Sequence, residues 1–218
     1  IRAGSLILDI DAKISSEARS DGNAGSIDVQ VTGAASLLHR SQISSNALGF
    51  GDAGSVTVRA ASLALDDESK ISSDSTGVGN GGPVDVRVGG DLSILNNSAI
   101  SSSATSFGDA GSVTVRAGAL VLDDGDILSE ARGDGNAGSL DVVVSGPMRL
   151  SNGALVSSNT FAFGLGGAVA VTADSLTVEG NSQISSDARS SGDAGSVTVR
   201  VAGSLNVLDR AQISSDSY

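Results

Sequence analysis

A glycine-led phrase returns seven times along this chain at an almost fixed interval. It reads GNAGS at 22–26, GDAGS at 51–55, GNGGP at 79–83, GDAGS at 108–112, GNAGS at 135–139, GLGGA at 164–168 and GDAGS at 192–196. Successive first glycines lie 29, 28, 29, 27, 29 and 28 residues apart. A period of this length belongs to solenoids, in which each unit buries its apolar face only against its neighbours. The repeat therefore makes residues 1–218 one continuous stack rather than two globular domains.

Within one unit the punctuation is short and the apolar pattern alternates. From Gly51, Val56, Val58 and Ala60 alternate with Thr57 and Arg59, which reads as a strand. Leu63 and Leu65 mark a second strand, Asp66, Asp67 and Glu68 a polar corner, and Ile71-Ser72-Ser73 a third strand. Three strands and three bends close one rung of a tube. No six-residue period of the left-handed kind is present. The expected fold is all-β: a right-handed parallel β-helix of about eight coils, each of 27–29 residues with three short strands. At about 4.8 Å per coil the rod is about 4 nm long.

Two columns fix the third strand. Ile14, Ile43, Ile71, Ile100, Ile127, Val156, Ile184 and Ile213 share one position. Two residues later stand Ser16, Ser45, Ser73, Ser102, Ser129, Ser158, Ser186 and Ser215. Alternation turns Ile71 and Ser73 inward and Ser72 outward. The serines read as a structural ladder of stacked hydroxyls that satisfy one another, because no His or Lys base accompanies them as a nucleophile would require. The Gly-Asn/Asp phrases read as turns, with Gly supplying positive φ and Asn or Asp a local hydrogen bond.

A superperiod of two coils overlies the repeat. VRAASLALDD at 58–67 and VRAGALVLDD at 115–124 alternate with VRVGGDLSILNNSA at 86–99 and VRVAGSLNVLDRAQ at 199–212. The second type carries one extra residue before its second strand, a bulge or wider corner, and tends to end on phenylalanine: Phe50, Phe107 and Phe163. Asp28, Thr57, Asp85, Thr114 and Asp141 alternate at an outward position, which keeps like charges from facing each other.

Composition excludes several functions. Lys and Arg number 13 against 25 Asp and Glu, a net charge of −12, which argues against nucleic acid and anionic membrane surfaces as partners. With no Cys there is neither a disulfide framework nor a thiolate metal site. No apolar run is long enough to span a bilayer, and no signal peptide is recognisable.

The consensus G-[ND]-A-G-S-[VIL]-x-V-x-A, then L-x-L-D, then I-S-S, resembles the repeats of filamentous haemagglutinin-like exoproteins, the secreted partners of two-partner secretion systems. The likeness covers residues 1–218. It implies a β-helical shaft, export through an outer-membrane transporter, an extracellular or cell-surface location, and adhesion or biofilm-type contact. The family's secretion domain is not in this sequence, and its shaft repeats share no catalytic set. The opening aligns in mid-coil with the unit at Val58 and neither end reads as a polar cap, so the segment is expected to be open at both ends and an excerpt of a longer array.

The remaining candidates are surface features. Asp66, Asp67, Asp123 and Asp124 lie in acidic corners on every second coil and could hold Ca²⁺ through oxygen ligands, although a solvated edge explains them better. Arg59, Arg87 and Arg116 form an outward column with Arg2 and Arg200 that could contact an anionic polysaccharide or pair diagonally with Asp28, Asp85 and Asp141. His39, the lone histidine, sits in a corner. The serine column is interrupted by Leu128 and does not form the flat Thr array that ice favours. The uniform coils leave no loop to wall a catalytic cleft, and aromatic sugar platforms are not evident, so no enzyme, catalytic residue or cofactor is expected. The sequence thus reads as a structural and adhesive shaft with an unidentified receptor or polysaccharide partner. The alternative is a subunit that associates head to tail into a filament.

Overall fold

Each coil turns three times, and the turns between its short alternating strands are rich in Gly, Asn, Asp and Ser. The computed structural model describes all of residues 1–218 and contains no helix. Coils are numbered here from the N-terminus: coil 2 starts at Gly22, coil 3 at Gly51, coil 4 at Gly79, coil 5 at Gly108, coil 6 at Gly135, coil 7 at Gly164 and coil 8 at Gly192. In coil 3 the three strands are Val56–Ala60, Ser62–Leu65 and Lys70–Ser75. Equivalent strands stack in register into three parallel sheets, I, II and III, of eight strands each. The result is a parallel β-solenoid of eight coils.

Register confirms the columns. Ile71 stands over Ile43 and under Ile100, and Ser73 over Ser45 and under Ser102. Inward residues of all three sheets merge into one cluster of 36 buried side chains, Val, Leu and Ile for the most part. Turns stack as strictly as strands: 57 of the 140 backbone hydrogen bonds lie outside the strands, and most of those join one coil to the next.

The two coil types differ at the corner between sheets I and II. Only Ala61 separates the strands in coil 3, whereas Gly89 and Gly90 separate them in coil 4. The extra residue widens the corner and leaves the strands unbulged. On sheet III, Ile71 and Ser73 are fully buried as expected. Ser72 points to the other face yet is only 3% exposed. Longer neighbours on that face explain it: in other coils Asn46 and Asn159 reach back to donate to the equivalent Ser44 and Ser157.

Two expectations about the glycines and serines need correction. No glycine of the repeated phrase has positive φ. These glycines are required because loop backbone lies directly on loop backbone. A Cβ on Gly51 would fall 2.2 Å from the Gly22 carbonyl oxygen, and one on Gly79 2.1 Å from that of Gly51. Nor do the inward serines bond to one another. Ser73 Oγ accepts from Gly82 N–H at 3.0 Å and donates to the Gly54 carbonyl at 2.7 Å. Ser45, Ser129 and Ser158 repeat the arrangement, so this column stitches each glycine loop to the loop beneath it.

The Asn or Asp of the phrase also works between coils. Asn23 Oδ1 accepts from Asp52 N–H, Asp52 Oδ1 from Asn80 N–H, Asn80 Oδ1 from Asp109 N–H, and Asp109 Oδ1 from Asn136 N–H, at 2.7–2.9 Å. Amide and carboxylate alternate, so Asn80 and Asn136 also donate from Nδ2 to the aspartate below. The ladder ends at Leu165, whose N–H is accepted by Asn136 but whose side chain accepts nothing.

Candidate functional site

The corner between sheets II and III holds the acidic residues. It is built from two successive residues at positive φ, among them His39-Arg40, Asp67-Glu68 and Asn96-Asn97. Asn and Asp tolerate this conformation best among residues with a side chain. Each acidic corner finds donors on the next coil. His39 Nδ1 lies 2.6 Å from Asp9, and Arg40 donates twice to Asp11 at 3.0 Å. The Asp9 bond pushes the His39 imidazole up, and the Arg40 bond holds the Asp11 carboxyl below its usual range. Asn96 donates to Asp66 at 2.7 Å, and Asn152 to Asp123 at 2.5 Å. Of the four Ca²⁺ candidates, Asp66 and Asp123 are therefore engaged by neighbours, while Asp67 and Asp124 lie at positive φ. No three His, Cys, Asp or Glu side chains come together as a metal would need.

The arginine column exists in sheet I, with Arg59, Arg87 and Arg116 in direct register. Gln30 separates Arg2 from it, and Val143 and Thr172 separate Arg200. Arg59 pairs with Asp28 at 3.3 Å and Arg116 with Asp141 at 3.2 Å, both diagonally between coils. Arg87 departs from the expected diagonal and pairs with Asp85 on its own strand at 3.0 Å. Every member has an acidic partner, so the column is neutralised on its own face.

Aromatic surface is present after all, gathered by the fold at the corner that follows sheet III. Phe50, Phe107 and Phe163 are 63–70% exposed on coils 2, 4 and 6. Phe161 lies under the Arg189 guanidinium at 4.8 Å, with Arg132 at 6.0 Å on its other flank. The sequence signal was the type-2 ending on phenylalanine.

The one enclosed depression on a sheet face was not anticipated. It opens on the outer face of sheet III over coil 4, with a volume of about 200 Å³. Where neighbouring coils carry Gln42 or Lys70, coil 4 carries Ala99; where they carry Asn46 or Asp74, it carries Ser103. Coil 5 closes the upper side with Asp126, Leu128 and Glu130. Coil 5 is also one residue shorter at the preceding corner. There Gly125 packs where a Cβ would meet the Ile94 carbonyl at 2.2 Å. Asp126 is drawn in beside it and accepts from Leu155 N–H at 3.1 Å. Burial pushes its carboxyl up to about 6. A larger depression, at Gly180, Asn181, Asp209 and Arg210, is an open corner against the last coil.

Comparison with family models, with curated proteins and with solved structures finds no match for the chain.

Proposed function

We propose that the chain is a structural and adhesive shaft: a stretch of an exported bacterial surface exoprotein, carried out by an outer-membrane partner transporter, that holds a contact element away from the cell. The observation that carries this reading is uniformity along the axis. Serine, Asn/Asp and acid–donor ladders satisfy the polar groups of one coil with those of the next, coil after coil. Such a stack transmits position along its length, and its stability grows by nearest-neighbour terms. The repeat phrase resembling exoprotein shafts supports the location, and the paired arginines and uniform loops favour a shaft over a catalyst.

A second reading is a rod that stacks head to tail into a filament; the in-register pairing of each coil with the next is the geometry such stacking would continue.

Deleting two whole coils from the encoding gene tests the shaft. The shortened protein should still reach the cell exterior, be open to protease on intact cells, and weaken attachment. Retention inside the cell overturns the reading. Regular fibres from purified protein, lengthening with concentration, transfer it to the filament.

A further inference from the structure

On most of sheet III the outer serine column is sealed. Ser44, Ser72, Ser157 and Ser185 are each no more than 3% exposed, and side chains two positions away bond back over three of them. Coil 4 loosens the seal: Ala99 and Ser103 are shorter than their counterparts, and Ser101 is 6% exposed at the floor of the depression. The floor is thus a hydroxyl between two small side chains, and the walls are the longer residues of coils 3 and 5.

Several polar groups lining this trough have no partner, while Ser103 donates to Asp74 at 2.8 Å. The Ser101 hydroxyl, the Lys70 ammonium and the Asn97 amide make no hydrogen bond within the chain, although all line the cavity. Asp126 uses one oxygen on Leu155 N–H and keeps the other. Unpartnered groups occur elsewhere on the rod, Ser41, Ser75 and Glu68 among them, but only here do several line one enclosed depression on a sheet face. Leu128 replaces serine in the wall, so one side is apolar. Glu130 is paired with Arg132 at 2.8 Å, which leaves the charges around the cavity balanced.

We propose that this trough is a binding site for one neutral sugar ring, a pyranose unit of a glycan lying against the rod. Three features select that chemistry. A hydroxyl both donates and accepts, and the free groups offer both: Lys70 and Asn97 donate, Ser101 does either, and Asp126 accepts. The C–H face of a ring suits Leu128 and Ala99. Balanced charge favours neither a uronate nor an amino sugar, and a depression of about 200 Å³, smaller and more polar than a typical ligand pocket, has room for one ring and no more. The site goes beyond the shaft reading and does not depend on it.

The test is titration of the whole segment with methyl glycosides of glucose, galactose and mannose, followed by backbone amide shifts. At least one neutral glycoside should give saturable shifts confined to coils 3–5, with a dissociation constant in the millimolar range. The double substitution Ala99→Gln with Ser103→Asn installs the residues of coil 2 and fills the trough. It should raise that constant at least tenfold while leaving the melting curve unchanged. Ser101→Ala, which changes no volume above the floor, should raise it about fivefold through one lost hydrogen bond. Absence of saturable shifts with all three glycosides overturns the proposal, as do shifts spread evenly over all coils or shifts that survive the filled trough. Tighter binding of glucuronate or glucosamine than of every neutral glycoside overturns the sugar class.

Discussion

The glycine corner and the acidic corner turn the chain through similar bends with opposite residue logic. At the glycine corner the dihedrals are ordinary and the space is not: loop carbonyls of the coil below occupy the position a Cβ would take. At the acidic corner the dihedrals are left-handed and, outside the shortened corner of coil 5, side chains persist at positive φ, among them His39, Arg40 and Glu68. Residue choice at a solenoid corner is thus governed first by what is stacked against it. Steric exclusion by backbone admits no side chain, whereas the αL conformation is tolerated at about 1–2 kcal/mol per residue. Side chains at the acidic corner offset part of that through bonds such as Arg40 to Asp11.

Four measurements break or sharpen this contrast. The largest effect is expected for Gly79→Ala. Its new Cβ would lie 2.1 Å from the Gly51 carbonyl oxygen, which belongs to a loop that is itself pinned from below. A loss of about 3 kcal/mol in urea unfolding is expected. A loss below that of an exposed helix-free Gly→Ala change would mean the loops separate easily, and the contrast fails.

Next comes Ser73→Ala. It strands the Gly82 N–H and the Gly54 carbonyl together, and about 2 kcal/mol should be lost. Hydrogen exchange should show faster opening at Gly82 while Ile71 in the core stays protected. Uniform loss of protection through all coils would show that the stitch carries more than its own corner.

Asp126 offers a pH measurement at the shortened acidic corner. Its carboxyl titrates near 6 in the folded chain, above the ordinary 3.8, so the folded state binds the proton more tightly. Its contribution is therefore favourable at low pH and is lost as the pH rises from about 4 to about 6. The size is on the order of 1–2 kcal/mol, allowing for its partial exposure. Asp126→Asn should flatten that part of the stability profile. An unchanged slope would assign the titration to another group.

The smallest effect is expected for Glu68→Gly. Glu68 has positive φ, and its side chain has no hydrogen-bond partner. Relief of strain exceeds the added chain entropy slightly, for a gain of about 0.5 kcal/mol. The corner already accepts glycine at Gly153 and Gly180. A loss instead would mean that the strain is not there.

The same contrast explains what the sequence makes legible. Periodicity alone locates the coils, the inward Ile and Ser columns and the wider type-2 corner, because equivalent positions meet in register along the whole stack. What Ser73 bonds to is not legible, since its partners lie nine residues ahead and nineteen behind, in loops whose approach only the closed coil defines. Nor is the reason for the glycines: G-D-A-G has the composition of a positive-φ turn, and only stacking shows that the obstacle is a carbonyl. The sheet III trough was written in the columns as exceptions, Ala99, Ser103 and Leu128 against Lys, Asn and Ser neighbours. Reading columns for conserved character passes over such departures.

The two-coil alternation also imposes parity on the gene. In the Asn23, Asp52, Asn80, Asp109, Asn136 ladder the amides of Asn80 and Asn136 bond the carboxylates beneath them, and Asp28 and Asp85 are kept apart by Thr57. Unequal crossing-over that removes a single coil, for instance that of Asn80, would set Asp52 against Asp109 and like charge against like at several corners at once. Removal or duplication of coils in pairs keeps amide over carboxylate and Thr between the Asp28 and Asp85 positions. The rod can therefore lengthen or shorten over evolutionary time in steps of two coils, about 9.6 Å each, and odd-numbered events are penalised by its own ladders.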